Sequence, residues 1–359
     1  MNNKTIQIAL ISLFLICSLV PFVGMLLFGP STEFGNEVLS QPAQLRTAEG
    51  SFNGNVLNDL SDNFSDRFFF RKELITAWAR INSSLFRSSV EDQVVLGSDG
   101  WLYYAPTLDD YMGRSVSDAE LEKAAMNLAL MQSECEKLGA RFVFTIAPNK
   151  NSLYRENMPS LIPAAHGQGN AERILPYLEK YGVNYADLFS AFSENENTLY
   201  YRTDSHWTNR GAALAADRIL SSLGIDSSYY NSSFIPAEPH RGDLFDMLYP
   251  ADSYCEAAES CAAGFRFKTS GNPKGGEALK IHTSGGGTGG ILLCWRDSFG
   301  NSLYPYLADS FSEAHFLRSN QYDLNAILDY NADTVVFELV ERNLRTLADM
   351  KLVIPEAEP

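Results

Sequence analysis

Three short stretches constrain this chain more than anything else in it: Phe142-Val143-Phe144-Thr145-Ile146, Ile291-Leu292-Leu293-Cys294-Trp295 and Thr334-Val335-Val336-Phe337. Each is apolar at nearly every position. A strand with one face in water alternates apolar and polar residues, so unbroken runs of this kind read as strands covered on both faces, as in a parallel sheet. Such a sheet needs helices on both sides, and helical segments alternate with the runs. Ser117 with Glu120 makes a capping-box start, and Leu121, Ala125, Leu128, Met131, Cys135 and Leu138 continue one helical face to Gly139. A helix is expected over about 171–181, closed by Gly182 and followed by the strand Val183-Asn184-Tyr185-Ala186. Thr208 caps a helix from about Asn209 to Leu223, with Gly224 as its stop. After the second apolar run come a helix over 299–307, a strand Ala314-His315-Phe316-Leu317 and a helix over 324–330. The expected fold class is α/β, a three-layer sandwich around a mostly parallel sheet.

The N-terminus is organised differently. Residues 8–28 carry no charge and run 21 residues, enough at helical rise to cross the hydrocarbon core of a bilayer. Lys4 alone precedes them, which favours an N-terminus held inside and export of everything after residue 30. The run exceeds the apolar core of a cleaved signal and no Ala-x-Ala site follows, so residues 1–29 read as an uncleaved anchor. Residues 30–60 are rich in Ser, Asn, Gly and Gln and read as a linker, leaving 61–359 as one main domain. From Leu57 to Phe86 apolar residues recur at helical spacing, with Phe64, Phe68, Leu74 and Trp78 marking a face expected to pack as core. Val94-Val95-Leu96, Ser98-Asp99-Gly100 and Trp101-Leu102-Tyr103-Tyr104 read as strand, turn and strand. Residues 225–290 break the rhythm with Ser, Pro and Gly, and read as a long insertion or lid. Their run Ser284-Gly285-Gly286-Gly287-Thr288-Gly289-Gly290 lacks the Lys-Ser/Thr of a phosphate loop.

Charge excludes some partners. With 28 basic against 44 acidic side chains the formal net charge is −16, which opposes nucleic acid and anionic lipid headgroups. A polyanionic polysaccharide would need a local basic patch. Five cysteines form no zinc spacing. Cys255 and Cys261 are compatible both with a disulfide in an extracytoplasmic domain and with two free thiols.

The chemistry concentrates in Tyr201-Arg202-Thr203-Asp204-Ser205-His206-Trp207-Thr208, where a carboxylate and an imidazole lie two residues apart amid aromatic residues. His206 falls in the turn before a helix. Ser298, in Arg296-Asp297-Ser298-Phe299-Gly300, sits where an apolar strand gives way to a helix and backbone N–H groups lack intrahelical partners. A serine hydroxyl becomes nucleophilic when a histidine takes its proton, and the histidine does so when a third group fixes its tautomer. Ser298, His206 and Asp204 are therefore the expected nucleophile, base and orienting carboxylate. The plainer readings are a helix cap for Ser298 and a loop aspartate for Asp204. Metal chemistry for Asp204 and His206, with His240 or His282 as further ligands, matches no standard ligand spacing, so no metal and no cofactor is expected. His166 and His315 read as structural.

This constellation resembles the AlgX/AlgJ-type SGNH hydrolase-like proteins and the related DHHW proteins. The resemblance is carried by Tyr201 to Trp207 and by further blocks in the same order: Phe64-Ser65-Asp66-Arg67-Phe68 with Arg71, Leu96 to Tyr103, Ala147-Pro148-Asn149-Lys150, Arg241-Gly242-Asp243-Leu244, Asp297-Ser298-Phe299, and Val336-Phe337-Glu338 with Glu341-Arg342. DHHW proteins have a second histidine where Ser205 stands, which places this chain nearer the AlgX/AlgJ branch. The resemblance implies an SGNH hydrolase-like sandwich and a triad in which Asp and His precede Ser. It also implies a membrane-anchored extracytoplasmic O-acetyltransferase acting on an alginate-like surface or exported polysaccharide. An MBOAT-type membrane acyltransferase would supply its acyl groups. A carbohydrate esterase and a non-catalytic polysaccharide-binding assembly protein are the alternatives. Lys150 and Arg342 stand at family blocks and read either as sugar or carboxylate contacts or as surface ion-pair partners.

Overall fold

The computed structural model describes residues 3–30, 39–47, 49–113, 116–165, 167–270 and 279–355. Residues 31–38 and 48 of the expected linker, His166, and 271–278 of the expected insertion lie outside the described residues. Contacts divide the chain into two compact units, residues 1–94 with 245–254, and residues 95–244 with 255–359.

The smaller unit begins with helix α1, Asn3–Phe28. Within it Lys4–Phe28 is the one helix among the described residues long and apolar enough to cross a membrane. The expected helical stretch after the linker is two helices, α2 (Val56–Arg67) and α3 (Arg71–Phe86). The break falls at Phe70, whose φ of 68° lies in the left-handed region that ends a right-handed helix. Phe64, Leu74 and Trp78, expected as core, are exposed. Residues 245–254 are tied to α3 by an ion pair between Arg80 and Asp252, by the Arg80 guanidinium 4.1 Å from the centre of the Tyr249 ring, and by the Ala251 N–H donating to Thr76 Oγ1 at 2.9 Å.

In the larger unit the apolar runs become the middle of a seven-stranded sheet. Its strands are β1 (Arg141–Ala147), β2 (Tyr185–Ala186), β3 (Lys268–Ser270), β4 (Lys280–Ser284), β5 (Ile291–Trp295), β6 (Glu313–Leu317) and β7 (Thr334–Val340), in spatial order 2-1-7-5-6-4-3. Strands β2, β1, β7, β5 and β6 run parallel. β4 and β3 continue the β6 edge antiparallel. Residues 225–290 thus give two sheet strands as well as a separate hairpin of Phe234–His240 and Glu256–Cys261. Sequence reading missed these strands because β4 is polar at alternate positions and β3 is three residues long.

Side chains alternate across the sheet. Val143, Leu292, Cys294 and Val336 point into one core with α5 (Asn209–Ser222) and α6 (Gly300–Ser310). Phe142, Phe144, Leu293, Trp295, Val335 and Phe337 point into another with α4 (Asp118–Lys137). That is a helix–sheet–helix sandwich, as the unbroken apolar runs require. Ser117 and Glu120 form the expected capping box on α4, and Thr208 accepts from the Gly211 N–H at the start of α5. The helix expected over 171–181 is two short ones, Asn170–Arg173 and Leu175–Lys180, with Pro176 in the first turn of the second. Cys17, Cys135, Cys261 and Cys294 are free thiols. Cys255 directly precedes the extended strand Glu256–Cys261 and Cys261 ends it, and at 3.3 Å per residue their separation of about 20 Å is far beyond disulfide reach.

Candidate active site

Open parallel sheets bind ligands beyond the carboxyl ends of their strands. Here β5 ends into Asp297-Ser298-Phe299 and α6, β1 into Pro148-Asn149-Lys150, and β7 into Glu341-Arg342. The serine turn is held by its neighbours. Asp297 Oδ1 accepts from the Phe299 N–H at 2.9 Å, and Oδ2 accepts from the Val340 N–H at 2.7 Å. Asp297 donates its own N–H to Glu338 Oε2 at 3.0 Å. Burial, then the Asp297 charge, hold the Glu338 carboxyl well above its usual range. Trp207 donates its indole N–H to Phe299 O at 3.2 Å and to Ser302 Oγ at 2.9 Å, which fixes the histidine loop against α6.

The structure brings Asp204, His206 and Ser298 into one hydrogen-bonded line. His206 Nε2 lies 2.8 Å from Ser298 Oγ, and His206 Nδ1 lies 2.7 Å from Asp204 Oδ1. Asp204 is only 3% exposed and saturated with donors. Its Oδ1 also accepts from the His206 N–H at 2.8 Å, and its Oδ2 accepts from His240 Nε2 at 2.7 Å and from the Asp243 N–H at 3.0 Å. Burial alone would raise its pKa. The bonds from the two histidines outweigh that and keep it well below the usual carboxylate range. For His206 burial works against the charged form, but the bond and charge of Asp204, followed by the charge of Asp243, carry its pKa above the ordinary value.

A second layer surrounds that line. Asp243 Oδ2 stands 3.5 Å from His206 Nδ1. Asp243 Oδ1 accepts from the Ser205 and Leu244 N–H groups, each at 2.7 Å. Burial and the Asp204 charge raise its pKa. Tyr201 stacks on the His240 ring at 4.0 Å. Between His240 and Asp243, Gly242 packs so closely on Thr203 that a Cβ would stand 2.3 Å from the Thr203 carbonyl oxygen. Any other residue would push this segment off the loop.

Lys150 is neither a sugar contact nor a surface ion-pair partner. It is 4% exposed, and its Nζ donates to the carbonyl oxygens of Tyr201 and Arg202 at 3.1 and 3.0 Å and to that of Asp204. Burial lowers its pKa to about 8 against the pull of Asp204, Asp243 and Glu256. It pins the backbone that carries Asp204. Arg342 lies with its guanidinium 5.3 Å from the centre of the Tyr104 ring and 5.7 Å from that of Phe299, next to Ser298.

Sequence reasoning missed His240 and Asp243 as partners of Asp204. The Arg241-Gly242-Asp243 block marked the place, but its contacts span 36 and 39 residues. His282 joins neither; it lies on β4 beside Glu313 and His315. Asp204, His206 and Asp243 offer ligand atoms within 4.8 Å of one another, as do His282, Glu313 and His315. In the first group, backbone N–H groups and histidines already occupy the carboxylates.

A family model described as "SGNH hydrolase-like domain, acetyltransferase AlgX" matches residues 94–262. The matched span is similar to that family over a little under half of the chain. The matched span holds Asp204, His206, His240 and Asp243, and Ser298 lies beyond its end. Among curated proteins the chain is similar to "Probable alginate O-acetylase AlgJ" of Pseudomonas syringae, with 28% identity over 207 residues, 55% of this chain and 51% of the relative. The protein of the same name in Pseudomonas aeruginosa is 24% identical over 204 residues, with the same two shares. The match therefore spans about half the length of these relatives. Among solved structures, Bacillus cereus PatB1 with a sulfonyl adduct superposes with a TM-score of 0.55 at 20% identity, covering 72% of this chain and 98% of PatB1. A DHHW family protein from Eubacterium siraeum gives 0.51 at 16% identity, covering 64% and 89%. The shared fold is the SGNH hydrolase-like α/β sandwich; in this chain two antiparallel strands extend one edge of its sheet.

Proposed function

We propose that this chain is a membrane-anchored O-acetyltransferase that passes an acetyl group through Ser298 to a hydroxyl of an exported, alginate-like polysaccharide. The observation that carries the reading is the unbroken line from Ser298 Oγ through His206 to Asp204, with contacts of 2.8 and 2.7 Å. Because the Nδ1–H donates to ionised Asp204, the Nε2 lone pair faces the serine. Ser298 Oγ attacks the carbonyl of an activated acetyl donor while His206 Nε2 takes its proton, and Asp204 with Asp243 stabilises the imidazolium. The donor's leaving group departs with that proton, giving acetyl-serine and neutral His206. A sugar hydroxyl then gives its proton to His206 and attacks the ester, and the departing Ser298 Oγ takes that proton back from His206, leaving the acetylated sugar and the starting site. For the oxyanion, the Asp297 and Phe299 N–H groups are committed to Glu338 and Asp297, which leaves the Ser298 N–H of this turn as the donor we assign.

The substrate class rests on the relatives' printed names, and Arg342 is the cation at this site suited to a uronate carboxylate. Residues 1–29 would be a single-pass anchor with Lys4 inside and residues 61–359 extracytoplasmic, and an MBOAT-type membrane acyltransferase would supply the acetyl group. Water in place of the sugar would make the same site a carbohydrate esterase.

The test is covalent. Incubation of the full chain with an activated acetyl ester should add one acetyl mass to the peptide containing Ser298. Labelling confined to another residue would overturn the assignment. Acetate release that is unchanged by added polysaccharide would favour the esterase.

A further inference from the structure

At the antiparallel edge of the sheet, three metal-ligating side chains share one face. Glu313 and His315 are two residues apart on β6, and side chains at that spacing point the same way. His315 also lies directly opposite His282 of β4 in the antiparallel register. Strand period and register therefore bring one carboxylate and two imidazoles together, outside the site around Ser298. The two imidazoles converge: His282 Nε2 and His315 Nε2 each lie 2.9 Å from the same Glu313 Oε1. The two rings are nearly parallel, 8° apart with centroids at 4.6 Å, and Tyr330 stacks on His315 at 4.0 Å. That stack holds the His315 ring, while side-chain exposures of 39% for His282, 37% for Glu313 and 12% for His315 leave the group open to solvent.

We propose that His282, Glu313 and His315 bind a divalent first-row transition cation, with Zn²⁺ as the representative. Imidazole nitrogen and carboxylate oxygen are the donors such ions take, three protein ligands leaving a further position for water. Metal–ligand bonds of about 2.0–2.1 Å across a tetrahedral angle put neighbouring donor atoms about 3.3 Å apart, so the two Nε2–Oε1 contacts would spread slightly and the parallel rings would tilt to aim both lone pairs at one ion. On binding, each imidazole would give up the Nε2 proton it now donates to Glu313, carry its proton on Nδ1 instead, and present the Nε2 lone pair to the metal, which takes the place of the two N–H donors. Coordination would clamp β4, the last strand of the 225–290 region, to β6. This inference does not depend on the proposed acyl transfer.

The experiment is a calorimetric titration of ZnCl₂ into the tag-free full chain in detergent micelles, paired with thermal unfolding with and without the metal. Wild type should take up one equivalent and unfold at a higher temperature with zinc than without it. His282→Ala and His315→Ala should each weaken binding at least about tenfold and abolish the zinc-dependent shift. Glu313→Gln keeps the shape of the side chain and should weaken binding by a similar factor; it decides the matter if an alanine variant fails to fold. His206→Ala, which disables the other histidine–carboxylate group, should keep the zinc equivalent. No uptake by wild type, retained binding in Glu313→Gln, or loss of the equivalent in His206→Ala alone would overturn the proposal.

Discussion

The larger unit contains two places where one carboxylate serves two histidines, and they are built to opposite ends. Asp204 is buried and divides its oxygens, Oδ1 to His206 and Oδ2 to His240, with backbone N–H groups filling the rest. Glu313 is half-exposed and receives both of its histidines on one oxygen. The nitrogen that is committed makes the difference. His206 spends Nδ1 on the carboxylate and keeps Nε2 for a serine. His282 and His315 spend Nε2 and converge, which is the arrangement of a chelate. Burial adds to the contrast. Around Asp204 it makes the histidine bonds decisive for charge, whereas Glu313, lowered in pKa by His315 and His282 against its desolvation, stands in water that screens it.

The largest expected effect comes from removing what only the first place has. Ser298→Ala should abolish the acetyl adduct and lower acetyl transfer by roughly 10³-fold or more, measured as kcat/KM with an activated ester and as polymer acetylation in cells. Wild-type acetylation in the mutant would reduce the Asp204–His206 arrangement to a structural one and erase the contrast. Asp204→Asn comes next. An amide in place of the carboxylate favours the wrong His206 tautomer, so kcat should fall by roughly 10²–10⁴-fold. Combined with Ser298→Ala it should add almost nothing, since the residues act as a unit. A full additive loss would mean that Asp204 acts elsewhere.

Much of this was legible in the sequence, and for identifiable reasons. Asp204 and His206 lie two residues apart, and Ser298 follows the unbroken apolar run Ile291–Trp295, so local pattern alone marks both halves of the site. The sandwich follows likewise from runs that cannot face water. What was not legible depends on long-range contact. His240 and Asp243 reach Asp204 across 36 and 39 residues, through a hairpin end held by Gly242 against Thr203. Lys150 looks in sequence like a surface cation, and only the fold reveals that three carbonyl oxygens surround its ammonium. The cluster of His282, Glu313 and His315 depends on the β4–β6 register, which follows a glycine-rich stretch with little strand pattern. Phe64, Leu74 and Trp78 carry a core-like spacing and are exposed, because period alone does not say what a face meets.

His240 sharpens the comparison at intermediate size. It touches Asp204 and neither Ser298 nor the proposed acyl group, so we treat it as a positioning residue. His240→Ala should lower kcat about tenfold with little change in KM, since Asp204 Oδ2 loses one donor while Oδ1 keeps His206. His240→Gln, which can still donate to Oδ2, should recover most of the rate. Equal losses in both variants would show that the ring stacked on Tyr201, rather than the hydrogen bond, is what matters.

The smallest effect is a displacement along the pH axis. His206 acts as a base only when neutral, and its pKa is raised, so the acid limb of kcat/KM should lie above the value of about 6.5 for an unperturbed histidine. Activity is then full above that limb and lost as pH falls through it. The groups that set the limb are Asp204 and Asp243, which favour the imidazolium, opposed by burial and by Arg342. Asp243→Asn removes one negative charge 3.5 Å from Nδ1 and keeps an acceptor for the Ser205 N–H. The limb should therefore move to lower pH. Plateau activity at high pH should stay within a few-fold of wild type, because the line from Ser298 to Asp204 is intact. A limb that stays in place, or moves upward, would mean that Asp243 holds the loop without tuning the base.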